Sequence, residues 1–262
     1  MAIPHRTVGT GPHTVFCLHG WFGSSDGWGT FPDWLDTGRF TYVFTDNRGY
    51  GARRDETGDY TLDEVAGDVI ALADQLGADR FSLIGHSMGG SEVLKVLALA
   101  PERVTSLVGL SPVGAQPTAL DEAGHELFYG AYADRDKRCT ILDFTTGNRL
   151  TRTWVDAVAD WSLAHSSVDG FKGAGRAWLE ADFLDDVTGT NTPIHVIVGE
   201  HDPALGETTV NQTWTPYFPN CTVEVMPNAA HYPMFETPVA LATSVERFLS
   251  DQAELRPTAS RR

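Results

Sequence analysis

Short apolar segments rich in β-branched and aromatic residues alternate along this chain with longer segments of helical periodicity. The short segments have the length and composition of buried strands, and they are residues 14–18, 40–45, 80–85, 104–110, 193–199 and 221–226. Apolar residues recur with helical spacing at residues 61–76, 88–99 and 238–249. This alternation predicts an α/β fold, in which helices flank a mainly parallel sheet on both faces.

The alternation stops between residues 115 and 192. No run in this segment resembles a strand, whereas helical spacing is present at residues 126–137, 151–164 and 173–182. We therefore expect a core domain made of residues 1–114 and 193–262. We expect residues 115–192 to form an inserted helical cap that lies over the functional site.

Composition and charge exclude several classes of protein. With 42% hydrophobic and 21% charged residues, the chain of 262 residues has the composition of a folded globular protein. Its formal net charge of -16 would repel a phosphate backbone, so we expect no nucleic-acid partner. No apolar stretch reaches the roughly 20 residues of a membrane-spanning helix, and the first residues lack the features of a signal peptide. We expect a cytoplasmic protein with no membrane partner.

The chain offers little for a metal or an organic cofactor. Cys17, Cys139 and Cys221 are far apart and lack the spacing of zinc ligands or of a disulfide framework. Neither a dinucleotide-binding fingerprint nor a phosphate-binding loop is present in the sequence. We therefore expect a site that works with side chains and backbone groups alone.

A candidate nucleophile lies between a predicted strand and a predicted helix. Residues 85–89 are Gly-His-Ser-Met-Gly, which fits the pattern G-x-S-x-G, and they follow the strand and begin the helix at Met88. This is the setting of a nucleophile elbow, where a sharp turn raises the serine hydroxyl above the sheet. We expect Ser87 to be the nucleophile and the Met88 amide to stabilise developing negative charge.

A serine hydroxyl needs a neighbouring base, and the base needs an acid that orients it. Asp202 follows the strand at residues 193–199, and His231 follows the strand at residues 221–226. The order Ser, Asp, His is the chain order of α/β hydrolases. Among competing acids, Glu200 and Glu207 are less well placed, and Glu236 is expected to support the loop of His231.

Together these motifs resemble the α/β-hydrolase superfamily, in the branch of serine esterases and cofactor-free haloperoxidases. The resemblance also covers His-Gly-Trp at residues 19–21 and Asp-Asn-Arg-Gly-Tyr-Gly at residues 46–51. It implies that the Trp21 amide joins the Met88 amide in an oxyanion hole, and that Asp46 and Arg48 brace the site.

The beginning of the chain departs from the family pattern. Only about a dozen residues precede Val15, where family members have a longer hairpin, so we expect the N-terminal edge of the sheet to be shortened. A shortened sheet exposes an edge for pairing, which keeps a homo-oligomer among the expected partners.

The elbow residue narrows the chemistry. Relatives that open haloalkanes or epoxides use aspartate at this position, so Ser87 argues against both reactions. We expect hydrolysis of a carboxylic ester or lactone through an acyl-enzyme on Ser87. The sequence leaves three alternatives: a hydrolase of C–C bonds in ring-fission products, a perhydrolase, and a non-catalytic binding protein of the same fold. Tyr232 after His231 argues against the first, because those relatives carry tryptophan there.

Aromatic residues of the expected cap favour a bulky, hydrophobic or aromatic substrate, such as an aromatic ester or macrolactone. Most single cap aromatics are expected to pack against the core instead. The candidate substrate contacts are Phe128, Tyr129, Tyr132, Trp154, Trp178 and Tyr232.

Overall fold

The computed structural model describes residues 2–254 and places seven strands in one sheet, in the order β1-β3-β2-β4-β5-β6-β7. The strand at the N-terminal edge, β1, is antiparallel to β3, and every other neighbouring pair is parallel. The predicted α/β fold is confirmed. Residues 255–262 of the expected core domain lie outside the described residues. The strands are β1 (His5–Val8), β2 (His13–Leu18), β3 (Phe40–Thr45), β4 (Phe81–His86), β5 (Val104–Leu110), β6 (Ile194–Gly199) and β7 (Cys221–Met226).

The helices fall into two groups along the chain. The helices that alternate with strands, or follow the last strand, are α1 (Leu62–Leu76), α2 (Met88–Leu99), α8 (Glu207–Thr213), α9 (Pro233–Glu236) and α10 (Pro238–Glu254). Between β5 and β6 lie α3 (Glu122–Gly130), α4 (Arg135–Thr145), α5 (Arg152–His165), α6 (Val168–Leu179) and α7 (Leu184–Val187). None of the helices within residues 2–254 is long and apolar enough to cross a membrane.

Side chains of each strand alternate between two apolar cores, one on each face of the sheet. Phe16 and Leu18 of β2 pack in the core under α1 and α2. Val15 and Cys17 pack in the other core, which includes α10 and the residues above the carboxyl ends of the strands. Because strands β2 to β7 are parallel, their carboxyl ends and the loops that follow them lie at one edge of the sheet.

Local signals account for where α1 begins and ends. The Thr61 hydroxyl accepts a hydrogen bond from the Glu64 amide at 3.2 Å, which caps the first turn. Gly77 ends the helix in the left-handed region, at φ 68°. The predicted helix at residues 61–76 is confirmed within one residue.

The N-terminal edge strand is short, as predicted. Strand β1 has four residues and pairs with β3 from His5 opposite Thr45 to Val8 opposite Tyr42. The bounds of β1 could not be predicted, because its residues form no apolar run, and in the fold they are only half-buried or exposed.

The segment between β5 and β6 contains helices and no strand. The prediction of one helix at residues 126–137 is wrong, because α3 ends at Gly130 and α4 begins at Arg135. The Asp134 side chain caps α4 by accepting hydrogen bonds from the amides of Asp136 and Lys137. The segment packs closely on the core where α6 begins. There, a Cβ added to Gly49 would lie 2.6 Å from Gly170 Cα, and the Ser167 amide donates to Gly49 O at 2.8 Å.

Candidate active site

Ser87 occupies the sharp turn between β4 and α2, with φ 53° and ψ -115°. A Cβ on Gly85 would lie 2.2 Å from Gly89 O, and a Cβ on Gly89 would lie 2.5 Å from Leu18 O, so the turn requires glycine at both positions. The Ser87 amide donates to Leu110 O at 2.9 Å, and its carbonyl accepts from the amides of Gly90 and Val113. These bonds hold Ser87 in a conformation that few non-glycine residues adopt.

His231 and Asp202 form a buried pair at the neighbouring strand ends. His231 Nδ1 donates to Asp202 Oδ2 at 2.7 Å, and the side chain of neither residue is more than 6% exposed. The other carboxylate oxygen, Oδ1, accepts from the amides of Ala204 and Leu205, both at 2.9 Å. Because the two ring nitrogens lie on opposite sides of the imidazole, this bond turns His231 Nε2 away from Asp202.

The hydrogen bonds of Asp202 keep it ionised. Burial alone favours the neutral acid, but the neighbouring His231 imidazole and the amides of Leu205 and Ala204 outweigh that effect and lower the pKa of Asp202 below its ordinary value. The carboxylate therefore remains an acceptor for His231 Nδ1–H.

A second histidine, His86, packs beside His231, with ring centroids 5.1 Å apart. His86 Nε2 donates to the His231 carbonyl at 2.8 Å. Burial, together with the positive charge that His231 can carry, lowers the pKa of His86 to about 3. His86 is therefore neutral at ordinary pH and fixes the backbone of His231 without adding a second charge.

Two backbone amides lie at the ends of neighbouring elements. Met88 is the first residue of α2, and Trp21 follows Gly20 in a turn closed by a 2.8 Å bond from the Gly23 amide to Gly20 O. Within residues 2–254, neither the Trp21 amide nor the Met88 amide donates to a protein acceptor. A Cβ on Gly20 would lie 2.6 Å from His86 Nδ1, so this turn lies directly against the elbow.

Two apolar cavities meet the elbow, and Trp21, Phe22, Ser87 and Tyr232 line both. The first, called here the tryptophan cavity, has a volume of about 280 Å³ and is also lined by Trp28, Trp154, Trp161 and Phe235. The second, the His231 cavity, has a volume of about 240 Å³ and is also lined by His231, Val113, Leu120, Phe128, Trp178 and Leu205. Both consist mainly of aromatic and aliphatic side chains, which suits a hydrophobic ligand.

Four of the six predicted substrate contacts line these cavities. Trp154 lines the tryptophan cavity, Phe128 and Trp178 line the His231 cavity, and Tyr232 lines both.

The other two predicted contacts, Tyr129 and Tyr132, line neither cavity. Tyr129, on α3, stacks on His125, and its hydroxyl donates to Glu180. The ring of Tyr132 lies beneath the ammonium group of Lys172. Helical spacing alone did not show which face of α3 is turned away from the cavities.

Sequence reasoning missed several lining residues, among them Phe22, Trp28 and Leu205. A signal for the first two was present: they lie in the glycine-rich loop that follows the His-Gly-Trp motif, where aromatic residues alternate with glycine. Leu205 lies three residues after Asp202, and its own amide donates to Asp202 Oδ1.

Two further carboxylates brace the loops of the site. Asp46 accepts from the Ser25 amide and hydroxyl and from the Ala52 amide. Glu236 accepts from the Ala230 and Tyr232 amides, on either side of His231. These contacts match the supporting roles expected for both residues.

Arg48 makes ion pairs with helix α1. It pairs with Asp68 at 2.9 Å and with Glu64 at 3.1 Å, both on α1. Arg48 therefore braces the loop after β3 against a helix of the core.

A buried acid on α2 carried no signal in the sequence. Glu92 is 1% exposed, its Oε1 accepts from Asn47 Nδ2, and its Oε2 has no hydrogen-bond partner among the described residues. Burial raises the pKa of Glu92 to about 8, so the folded protein holds it as the neutral acid at pH 7.

The described residues contain no group of three or more His, Cys, Asp or Glu side chains placed to hold a metal ion.

Sequence comparisons give relatives over most of the chain. The 3-oxoadipate enol-lactonase 2 of Acinetobacter baylyi is 27% identical over 219 residues, which cover 79% of this chain and 78% of that protein. The dihydrolipoyllysine-residue acetyltransferase component of the acetoin cleaving system of Cupriavidus necator is 30% identical over 169 residues. That match covers 64% of this chain and 44% of the relative, so the chain spans less than half of that protein.

The fold has close counterparts among solved structures. The bromoperoxidase from Bacillus anthracis superposes with a TM-score of 0.83 at 23% sequence identity, over 94% of this chain and 95% of that chain. A model of the alpha/beta hydrolase fold family matches residues 13–238, a range that includes the elbow, the Asp202 turn and the His231 loop. This chain therefore belongs to the alpha/beta hydrolase fold family.

Proposed function

We propose that this protein is a serine hydrolase that cleaves a carboxylic ester or lactone with bulky hydrophobic groups. The observation that carries the proposal is the buried 2.7 Å hydrogen bond between His231 Nδ1 and Asp202. His231 lines the same cavity as Ser87, whose backbone is strained. A histidine that is fixed through one nitrogen keeps the other nitrogen available to take the proton of a hydroxyl nucleophile in the same cavity.

The reaction would proceed in two stages. Ser87 Oγ attacks the ester carbonyl while His231 Nε2 takes the hydroxyl proton, and the carbonyl oxygen becomes an oxyanion that the Trp21 and Met88 amides stabilise. When the C–O bond to the leaving group breaks, His231 gives the proton to the departing alkoxide. Water then attacks the acyl-enzyme by the same route and releases the acid.

The amides supply stabilisation where charge develops. Each donor in an oxyanion hole contributes about 3 kcal/mol to the stability of the transition state. Neither the Trp21 amide nor the Met88 amide has a protein acceptor within residues 2–254, and the Gly20 turn lies against the elbow, which supports this role.

The cavities support a substrate with apolar groups. Each is slightly smaller than the roughly 300 Å³ at which small-molecule pockets usually begin, whereas the two together fall within that range. The enol-lactonase named above supports the inclusion of lactones. Because Phe128, Trp154 and Trp178 come from the segment between β5 and β6, we also infer that residues 115–192 act as the cap of the site.

The test is a turnover panel measured by liquid chromatography and mass spectrometry, with short esters, bulky aryl esters and aromatic lactones. The wild type should hydrolyse bulky substrates better than acetate esters, and Ser87→Ala should reduce turnover by about 10⁴-fold or more. Equal turnover by both proteins would exclude Ser87 as the nucleophile. Equal or better turnover of acetate esters would contradict the bulky substrate.

A negative panel needs a second measurement. A serine-directed phosphonate should label Ser87 of the wild type and leave Ser87→Ala unlabelled. Labelling without turnover would favour C–C bond cleavage, perhydrolysis or another acyl substrate, whereas failure to label would favour a binding protein.

A further inference from the structure

The indole of Trp21 joins the loop after β2, residues 19–23 and called here the oxyanion loop, to the segment between β5 and β6. Trp21 Nε1 donates to the Phe171 carbonyl on α6 at 2.7 Å. The indole also stacks on the Phe171 ring, with centroids 4.2 Å apart and an interplanar angle of 18°. Trp21 is 4% exposed, so these contacts are shielded from water.

Phe171 is itself held between two groups. The Arg138 guanidinium carbon lies 3.6 Å from the centre of the Phe171 ring. Since the indole and the guanidinium both approach the ring this closely, they must occupy opposite faces. The result is a column of three side chains, Arg138, Phe171 and Trp21, that runs from α4 to the oxyanion loop.

Arg138 is a fixed end for this column. It is 1% exposed, and it donates to Ala131 O, Tyr132 O and the Ser162 hydroxyl at 2.9 to 3.1 Å. Burial lowers the pKa of Arg138 to about 10, which leaves it charged at pH 7. None of the described carboxylates pairs with it, so its charge is met by neutral oxygens and by the face of Phe171.

We propose that Arg138 and Phe171 are positioning residues that fix the backbone amide of Trp21 in the oxyanion hole. This inference rests on the proposed hydrolase function. Neither residue lines the tryptophan cavity or the His231 cavity, so neither contacts a substrate held there. Phe171 contacts the cavity walls through Trp21 and, edge to face at 5.5 Å between ring centroids, through Phe22, but the hydrogen bond to the oxyanion loop is made by Trp21.

The predicted kinetic signature follows from the geometry of an oxyanion hole. The amide must lie about 2.7–3.1 Å from the oxyanion, and displacements of about 1 Å cost up to 100-fold in rate. The ground-state carbonyl depends less on this contact than the transition state does. Loosening the column should therefore lower kcat and leave KM nearly unchanged.

The main variant is Phe171→Leu, which removes the stacked ring and keeps the carbonyl that Trp21 Nε1 bonds to. The matched control is Leu179→Ala, a truncation at a buried position of the same helix, which leaves the column in place. Trp21→Phe is a second variant, because it keeps an aromatic ring and loses the indole donor. Phenyl acetate is the substrate, since a short acyl group makes few demands on the cavities.

For Phe171→Leu we expect kcat to fall about tenfold, with KM within about twofold of the wild type. A trifluoromethyl ketone, which forms a tetrahedral adduct on the serine, should lose affinity in proportion to kcat/KM. Leu179→Ala should change kcat less than about twofold at temperatures well below its melting temperature. If Phe171→Leu does not fold, Trp21→Phe must show the same joint loss of kcat and ketone affinity.

Two outcomes would overturn the proposal. One is an equal loss of kcat in Phe171→Leu and Leu179→Ala. The other is a loss of kcat while the affinity for the ketone stays the same. Failure of the proposed function would look different, because the wild type itself would then show no Ser87-dependent turnover of phenyl acetate.

Discussion

At the scale of single residues, the proposed mechanism depends on which nitrogen of His231 carries a proton. Asp202 accepts the Nδ1 proton, and it receives two amide hydrogen bonds on its other oxygen. The carboxylate is therefore fixed in position as well as in charge. An uncharged side chain of the same shape cannot reproduce both properties.

Asp202→Asn tests this arrangement. An asparagine that presents its NH₂ group to Nδ1 favours the wrong tautomer, so we expect kcat to fall about 10⁴-fold with little change in KM. The measurement is steady-state kinetics on the best ester from the panel. Asp185→Asn, which removes an exposed carboxylate on α7, is the control. A loss of less than about tenfold would show that another acid orients His231.

At the scale of elements, the junction of β4 and α2 allows no side chain at Gly89, where a Cβ would lie 2.5 Å from Leu18 O. Gly67 in α1 is the opposite case, since nothing lies within 4 Å of its added Cβ. We expect Gly89→Ala to destabilise the protein by about 1–3 kcal/mol through overpacking. Gly67→Ala should stabilise it by up to about 1 kcal/mol through higher helix propensity.

Urea unfolding measures both changes. Similar effects of the two alanines would show that the elbow can shift to make room for a side chain. Opposite effects of Gly89→Ala and Gly67→Ala would show that the loss of stability comes from crowding at the elbow and not from replacing a glycine as such.

Helix α2 also carries a dependence of stability on pH. Burial raises the pKa of Glu92 to about 8 in the folded state from the ordinary value of 4.5. Between these values the folded state binds more protons than the unfolded state, so the contribution of Glu92 to stability is complete below pH 4.5 and is lost as the pH rises through 8. The slope from this one group is at most about 1.4 kcal/mol per pH unit.

Glu92→Gln removes this titration and keeps an acceptor for Asn47. We expect its free energy of unfolding to decline less between pH 5 and pH 8 than that of the wild type, as measured by urea titrations at several pH values. The other charges of the chain are common to both proteins. Parallel curves would show that Glu92 is ionised in the folded state.

Much of the architecture could be predicted, because buried parallel strands are continuous apolar runs. The predicted bounds of β3, β5 and β7 agree with the structure, and those of β2, β4 and β6 are within one residue. Strand β1 was missed because it is stabilised by pairing with β3 rather than by burial. The break between α3 and α4 was missed because Asp134 was not recognised as a cap.

Prediction was weaker for the walls of the site. The motifs predicted that Ser87, Asp202 and His231 follow strands. Because the carboxyl ends of parallel strands lie at one edge of the sheet, this was enough to bring the three residues to the same site. The lining residues depend instead on how each helix is rotated, and sequence spacing leaves that open. This is why Trp154 lines a cavity while Tyr129 faces away from both.

At the scale of the whole molecule, the two cavities should divide an ester substrate between them. Ala157 is an exposed residue of the tryptophan cavity, and Ala119 is an exposed residue of the His231 cavity. Phenylalanine at either position fills one cavity without crowding the core. We expect each variant to exclude a bulky group from one side of the ester, either the acyl side or the alcohol side.

Butyl phenylacetate and benzyl pentanoate test this division, because these isomers exchange the aromatic group between the acyl and alcohol sides. We expect Ala157→Phe and Ala119→Phe to discriminate between the isomers in opposite directions, each with about a tenfold loss of kcat/KM on one. Hydrolysis of ethyl acetate by both variants serves as the control. The same preference in both variants would mean that substrates use a single cavity.

The backbone of Ser87 has a further consequence for how this sequence is maintained. A non-glycine residue at φ 53° and ψ -115° costs about 1–3 kcal/mol, a sizeable share of the net stability of a folded domain. Glycine would relieve that strain, so selection for stability alone would favour replacement of this serine. If Ser87 is the nucleophile proposed above, catalysis and folding make opposing demands on this one position, and the serine is kept for its chemistry at a cost in stability.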